Sequence, residues 1–160
     1  MAKKIEKTNA ARLLDKAKIA YELVPYTVDE SNLAATHVAE ELGEDIATVF
    51  KTLVLRGDRN GYFVCVIPGD HEVNLKAAAK VSGNKWAELI AMKELLPTTG
   101  YIRGGCSPIG MKKQYVTVLD TSALECETII FSAGKIGFQV ELSLEELKKV
   151  LKFELMDIIG

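Results

Sequence analysis

Apolar side chains recur every three or four residues in several stretches of the chain, which is the spacing of an amphipathic helix. The first stretch runs from about Thr8 to Lys18, and the last begins with Ser143 and Glu146 in the S-x-x-E order of a capping box. The other predicted helices are Ala34 to Leu42, Leu75 to Val81, Ala91 to Leu96 and Ser122 to Glu125. We expect Pro97 to end the helix that precedes it.

Short runs of β-branched and aliphatic residues lie between the helices and predict strands. Two of them, Val49 to Arg56 and Tyr62 to Ile67, flank the turn sequence GDRNG and form the clearest predicted hairpin. The other predicted strands are Ala20 to Val24, Tyr115 to Leu119, Thr128 to Ser132 and Gly137 to Leu142. Because hairpins cannot occur in an all-parallel sheet, this order predicts the α+β class, with a mixed, mostly antiparallel sheet and helices packed around it.

Length and composition are those of an ordinary globular protein. With 160 residues, of which 48% are hydrophobic and 26% charged, we expect a single domain that spans residues 1–160. The chain has no run of about 20 apolar residues that could span a membrane, and its first residues lack the apolar core of a signal peptide. The three cysteines are widely spaced and do not indicate a disulfide framework, so we expect a cytoplasmic protein.

Net charge and motif content exclude several functional classes. The formal net charge is −2, whereas proteins that hold duplex nucleic acid through many phosphates carry a strong basic excess. Any contact with nucleic acid should therefore be local or assisted by a partner. Two distant histidines leave no metal site of recognisable spacing, and neither a glycine-rich nucleotide motif nor a G-x-S-x-G elbow is present. We expect no metal and no other cofactor.

Two features are candidates for chemistry. Lys51 lies among aliphatic residues in the predicted strand Val49 to Arg56, where a dry, unpaired ammonium would cost several kcal/mol. It either reaches water near the strand start, meets a carboxylate, or forms the cationic floor of a pocket. The stretch Thr98 to Lys113 lacks periodicity and contains Gly104 and Gly105. Their exposed N–H groups would suit an oxyanion or a phosphate, although an ordinary wide turn also explains them.

Other reactive side chains have simpler explanations. Cys106 has no histidine near it in the sequence to activate it, so we expect it to fill space. Cys65 lies within an apolar strand and is expected in the core. His71 is in a polar loop, and the pair Lys112-Lys113 is expected at the surface unless a cleft beside it receives phosphates.

Four motifs follow one another along the chain at characteristic spacing. They are Phe50-Lys51-Thr52-Leu53, the run GGCSPIGMKK at 104–113, TSALE at 121–125 and SAGKIGFQVEL at 132–142. Together they resemble the YbaK/EbsC family, whose members are free-standing relatives of the editing domain inserted in bacterial prolyl-tRNA synthetases. The resemblance extends from about Thr8 to Ile158. It implies a single YbaK-like domain in which a barrel-like mixed sheet is surrounded by helices.

The resemblance also implies an activity. It indicates a trans-acting aminoacyl-tRNA deacylase that clears mischarged Cys-tRNA(Pro), with the acceptor end of tRNA(Pro) as its ligand and prolyl-tRNA synthetase as a transient partner. The mechanism expected for the family is attack by the cysteine's own thiol on its carbonyl, which releases a cyclic thiolactone and free tRNA. Two alternatives stay open: hydrolysis of Ala-tRNA(Pro) by water on the same scaffold, and a non-catalytic module that binds tRNA ends or a synthetase.

The resemblance maps functional roles onto individual positions. To the mapped residues we add Gly105, whose N–H would act with that of Gly104, and Lys112, which would contact a phosphate. The candidates then fall into two groups. The catalytic candidates are Lys51, Gly104 and Gly105, and the substrate-binding candidates are Tyr26, Thr52, Ser132 and Lys112. Two departures from the family's pattern lie in the motif at 132–142. Ala133 replaces the usual glycine and is expected to narrow or tilt that edge, and Gln139 replaces an aspartate of some relatives, which argues against a carboxylate base there.

Overall fold

The structure is a computed structural model that describes residues 9–25, 46–59, 61–103, 105–135 and 137–160. The helices are α1 (Asn9–Lys16), α2 (Leu75–Val81), α3 (Met92–Thr99) and α4 (Leu144–Lys148), and short 3-10 helices span Ile46–Thr48 and Thr121–Glu125. The strands are β1 (Glu22–Pro25), β2 (Phe50–Gly57), β3 (Gly61–Pro68), β4 (Ala87–Leu89), β5 (Val116–Asp120), β6 (Ile129–Ser132), β7 (Phe138–Leu142) and β8 (Glu154–Met156). The predicted helix Ala34 to Leu42 lies outside the described residues.

The strands form two sheets, one in the order β4-β2-β3-β5-β8 and one in the order β1-β7-β6. Pairing is parallel between β3 and β5 and between β5 and β8, and antiparallel in the other pairs. The predicted α+β class and mixed, mostly antiparallel pairing are therefore confirmed. Between the sheets, the described residues form one parallel bridge, from Val49 to Ile130, and they do not close a barrel. The barrel-like detail implied by the resemblance thus stays unconfirmed.

Alternation along the β2–β3 hairpin divides the hydrophobic core into two clusters. Phe50 and Val54 face the larger cluster, which fills the space between the two sheets and is closed by α1 and α4. Leu55 and Cys65 face the smaller cluster, which lies between the five-stranded sheet and α2. The predicted hairpin and the core position of Cys65 are confirmed. Each face of β2 is apolar and packs against a different layer.

Pro97 lies inside α3, which continues to Thr99, so the prediction that it ends the helix is wrong. The helix ends instead at Gly100, whose φ of 87° is the left-handed conformation typical of a C-terminal glycine. The N–H of Gly100 donates to the carbonyl of Leu96 at 2.8 Å, and the Thr99 hydroxyl donates to that of Leu95 at 2.8 Å. These bonds hold the last turn together although proline removes one donor from it.

The short strands β4 and β8 were not predicted from the sequence. Each has three residues, too few to show an alternating pattern, and each is defined by pairing with a longer strand, β4 with β2 and β8 with β5. Asp58 also positions β4, because its Oδ1 accepts hydrogen bonds from the N–H groups of Lys85 and Trp86. In the described part of the chain, no helix is both long enough and apolar enough to cross a bilayer.

Asp120 at the end of β5 joins three segments of the fold. It is 1% exposed, its Oδ2 accepts the N–H of Ser122 at 3.0 Å, and its Oδ1 accepts the N–H of Ile158 at 3.1 Å. The carboxylate therefore caps the 3-10 helix after β5 and fixes the chain that follows β8.

The substitution Asp120→Ala should lower the free energy of unfolding by about 2–4 kcal/mol, because it leaves two buried N–H groups without an acceptor. Urea denaturation followed by circular dichroism measures the change. Asp120→Asn keeps one side-chain carbonyl and should lose less. The exposed Asp157→Ala is a control that should change stability by less than about 0.5 kcal/mol. An unfolding midpoint of Asp120→Ala equal to that of the parent would contradict this role.

Candidate functional site

Three of the residues singled out by the sequence, Lys51, Ser132 and Gln139, lie near the end of β6. The bridge between Val49 and Ile130 sets the register of β2 beside β6, and side chains two residues apart lie on the same face of a strand. Extending this register by two residues aligns Lys51 of β2 with Ser132 of β6. Gln139 of β7 is paired directly opposite Ser132. Lys51, Ser132 and Gln139 therefore lie on one face, where β2, β6 and β7 run side by side.

Lys51 is half-buried, and its charge is balanced by opposing effects. Burial is the larger effect and lowers the pKa of Lys51, whereas the negative charges of Glu72 and Asp70 raise it. Both carboxylates belong to the loop that follows β3, whose Ile67 is the cross-strand partner of Lys51. Of the explanations left open by the sequence, this position favours a cation at a partly polar edge, close to carboxylates.

Thr52 faces the opposite side of β2, as strand alternation requires. Its cross-strand partner, Val66, belongs to the larger cluster, to which Cys106 and Ala133 also belong. The hydroxyl oxygen of Thr52 is buried and has no hydrogen-bond partner among the residues that the structure describes. The structure therefore does not bring Thr52 to the face that carries Lys51, although the two residues are adjacent in the sequence.

Tyr101 fastens the glycine-rich loop to the turn between β6 and β7. Its hydroxyl donates to the carbonyl of Ile109 at 2.6 Å, and a Cβ on Gly134 would lie 2.9 Å from its ring. Gly134 has a φ of 95°, and its N–H donates to the hydroxyl oxygen of Ser132 at 3.1 Å. Ala133 is fully buried in the larger cluster, so its methyl group packs into the core. Tyr101 thus links two of the four sequence motifs, those at 104–113 and 132–142.

The N–H of Gly105 is already engaged. It donates to the carbonyl of Ile102 at 3.0 Å and closes a turn, so it is not free for an oxyanion as the sequence led us to expect. The preceding Gly104 and the substrate-binding candidate Tyr26 lie outside the described residues. For Gly105, the wide-turn explanation is the one that its hydrogen bond supports.

Cys106 is a packing residue. It is buried, and burial raises the pKa of its thiol to about 12, so it is a protonated thiol and a poor nucleophile near neutral pH. His71 is exposed, with its Nε2 3.7 Å from Oδ1 of Asp70. Lys112 is exposed, and its aliphatic stem lies against Gly100 at the end of α3. Among the described residues, no group of three or more His, Cys, Asp and Glu side chains could hold a metal ion.

Sequence reasoning missed three residues that contribute to this region. Tyr101 was not singled out, although an aromatic residue at the start of a long glycine-rich segment is a signal for an anchor. Asp70 and Glu72 were not connected with Lys51, because their proximity depends on the path of the loop after β3.

Several known proteins are similar to this chain in sequence. Residues 29–150 match the family model described as "Aminoacyl-tRNA editing domain". A protein of Enterococcus faecalis named "Putative Cys-tRNA(Pro)/Cys-tRNA(Cys) deacylase EbsC" is 47% identical over 160 residues, which is 99% of this chain and 98% of its own. A proline–tRNA ligase of Cupriavidus necator is 30% identical over 125 residues, which is 76% of this chain and 22% of the ligase.

A solved structure, reported as that of "a putative trans-editing enzyme for prolyl tRNA synthetase", has the same fold. Its TM-score is 0.83 at 19% sequence identity, and the match covers 98% of this chain and 99% of the other. The family model spans well over half of the chain, and the likeness to the Enterococcus protein spans nearly all of it. This chain therefore belongs to the aminoacyl-tRNA editing domain family.

Proposed function

We propose that this protein is a trans-editing deacylase that clears Cys-tRNA(Pro), with Lys51 as its essential cation. The observation that carries the proposal is the position of Lys51, a half-buried ammonium on the same face as Ser132. The name of its 47% identical relative, which specifies Cys-tRNA(Pro) and Cys-tRNA(Cys), supports this choice of substrate.

The chemistry needs no protein nucleophile. An aminoacyl ester is an activated acyl group, and the thiol of the bound cysteine attacks its carbonyl carbon. The new C–S bond closes a thiolactone, the ester C–O bond to the ribose breaks, and the thiol proton passes to the ribose oxygen. An intramolecular attack in a fixed geometry can lower the barrier by roughly 7–11 kcal/mol. The Cys106 thiol of the protein is protonated, which is consistent with a nucleophile that the substrate supplies.

The protein's part is to hold the ester and to stabilise the charge that develops on it. Lys51 either binds the terminal phosphate and ribose region or stabilises the oxyanion, and one such donor typically contributes about 3 kcal/mol. Ser132 accepts the N–H of Gly134 through its oxygen, so its own hydrogen is available to a substrate. We keep Gly104 as the backbone donor of the loop, and Tyr26 and Lys112 as substrate contacts, on the family's pattern. Thr52 is not kept as a contact of this site, because its buried hydroxyl lies on the opposite face of β2 from Lys51.

A partner is part of this proposal. With a net charge of −2, the protein holds a whole tRNA weakly unless another protein presents it. We propose that prolyl-tRNA synthetase is this transient partner and that the encounter takes place in the cytoplasm, where tRNA is charged. The likeness to part of a proline–tRNA ligase supports recognition of the same tRNA.

Substitution of Lys51 tests the site. Lys51→Ala should lower kcat/KM for deacylation of Cys-tRNA(Pro) by about 100-fold or more, because it removes the cation that stabilises the transition state. Release of radiolabelled cysteine measures the rate. The matched control is Lys76→Ala, which removes an exposed lysine from α2, and Cys106→Ser and His71→Ala should also stay largely active. Full activity of Lys51→Ala would refute the assignment.

A panel of charged tRNA(Pro) tests the mechanism and the specificity. Cys-tRNA(Pro) should be cleaved much faster than Ser-tRNA(Pro), because a hydroxyl replaces the attacking thiol, and mass spectrometry should detect a thiolactone as the first product. Rapid cleavage of Ser-tRNA(Pro) would eliminate thiol assistance. Preferred hydrolysis of Ala-tRNA(Pro) would select the water-using alternative, and binding without turnover of Cys-, Ser-, Ala- or Pro-tRNA(Pro) would select the non-catalytic module.

The pH profile tests the charge state of Lys51. Its pKa is lowered from the ordinary 10.5, so activity that needs the ammonium should be present below that lowered pKa and lost as the pH rises through it. This loss should begin at a lower pH than for an exposed lysine. In Lys51→Arg, which stays charged, the loss should move to higher pH. Initial rates corrected for spontaneous ester hydrolysis measure this shift, and an unchanged alkaline limb in Lys51→Arg would assign the titration to another group.

A further inference from the structure

A second concave surface lies on the other end of the glycine-rich loop, and none of the candidate residues above lines it. It is a cleft of about 490 Å³ whose walls are the end of α1, residues 108–111 and 113–115, and the end of α4. Three segments that are distant in the sequence therefore converge on it. We call it the basic cleft, after Lys16, Lys113 and Lys149 in its walls.

The charged residues that line the basic cleft are all lysines. Lys149 is paired with Glu146, at 2.8 Å between Nζ and Oε1, so part of its charge is neutralised. Lys16 and Lys113 form no ion pair with any residue that the structure describes. Between the cations the floor is apolar, because Ile109 and Leu151 contribute buried side chains to it. The cleft therefore suits an anion that also carries apolar surface.

Lys113 contacts an aromatic ring that also lines the cleft. Its Nζ lies 5.9 Å from the ring centroid of Tyr115, a cation–π distance. The ring itself is fixed, since the Tyr115 hydroxyl donates to the carbonyl of Thr98 at 3.0 Å and the ring meets that of Tyr62 edge to face at 6.2 Å. A cation that is already positioned loses less conformational freedom when a ligand binds.

The floor of the basic cleft belongs to the same glycine-rich loop that packs beside Ala133. Cys106, in the loop that packs beside Ala133, is three residues from Ile109 in the floor of the cleft. An extended chain covers at most about 3.6 Å per residue, so the two residues are within about 11 Å of each other. A ligand with one end beside the loop can therefore extend into the cleft.

We propose that the basic cleft binds the sugar–phosphate backbone of the RNA strand that carries the aminoacyl end, with Lys16 and Lys113 on phosphates and the apolar floor against a ribose or base. This inference rests on the proposed function, because it takes the ligand's reactive end to be the aminoacyl ester. Two unpaired cations suit a contact with about two phosphates, which fits a chain whose net charge is −2. The apolar floor favours a nucleotide over the carboxylates of an acidic protein surface.

Binding of an uncharged RNA separates this inference from catalysis. The probe is a fluorescein-labelled RNA hairpin with the acceptor stem and single-stranded 3′ end of tRNA(Pro), and fluorescence anisotropy gives its Kd between about 50 and 200 mM salt. The test protein carries Lys16→Met and Lys113→Met, which remove charge but keep apolar bulk. The matched control carries Lys76→Met and Lys80→Met, which remove the same charge from exposed positions on α2.

For the cleft variant we expect Kd to rise about tenfold at 0.1 M salt, and the slope of log K against log salt to become smaller by about 1.5, the value for two lost phosphate contacts. The control should keep the parent's slope. With the cysteine ester of adenosine, which has no preceding phosphates, kcat/KM of the cleft variant should equal that of the parent, and this shows that the fold and the Lys51 site are intact.

Three results would overturn the inference. In the first, the parent does not bind the hairpin at about 50 mM salt. In the second, the cleft variant and the parent bind the hairpin with equal affinity. In the third, the cleft variant no longer cleaves the adenosine ester. The second result would point to an acidic protein surface as the occupant. If the parent fails to cleave the ester while hairpin binding still depends on Lys16 and Lys113, the proposed function is wrong and the RNA-binding cleft stands.

Discussion

The register of β2 is the constraint on which the rest of the structure depends. This strand pairs with β3 and β4 and is bridged to β6 by Val49 and Ile130, so it joins the two sheets. Both of its faces are apolar, and each packs against a different cluster. A slip by one residue would turn Lys51 into the larger cluster, where a buried ammonium costs several kcal/mol. The hydrophobic packing that stabilises the fold is therefore also what aims Lys51 at the face that carries Ser132.

Local patterns predicted much of the fold, and long-range contacts account for the remainder. The β2–β3 hairpin follows from alternation and a turn sequence, and α2 was predicted with its observed bounds because its pattern is self-contained. By contrast, β4 and β8 exist through pairing with other strands, and Pro97 was outweighed by the stronger stop at Gly100. At the site, alternation alone separates Lys51 from Thr52. The engagement of the Gly105 N–H by Ile102 could not be read from the sequence, because it depends on how the loop folds back.

Burial of the cysteines has a chemical consequence for a protein that binds activated esters. A thiolate near an aminoacyl ester would accept the acyl group and trap it on the protein. Burial raises the pKa of the Cys106 thiol, and likewise that of Cys65, to about 12, so both are protonated near neutral pH. In the mechanism that we propose, neither of these two thiols competes with the sulfur of the substrate.

The charge distribution is in keeping with the separate anchors that we propose for the ester and the RNA. Asp70 and Glu72 raise the pKa of Lys51 against the effect of burial and so help to keep it charged. The same carboxylates reduce the positive potential that Lys51 presents to a phosphate, because opposite charges nearby partly cancel at a distance. Lys51 is therefore suited to a short-range contact with a reacting group and poorly suited to attracting a polyanion. Lys16 and Lys113, the cations that we propose for that attraction, have no carboxylate among the residues that line the basic cleft.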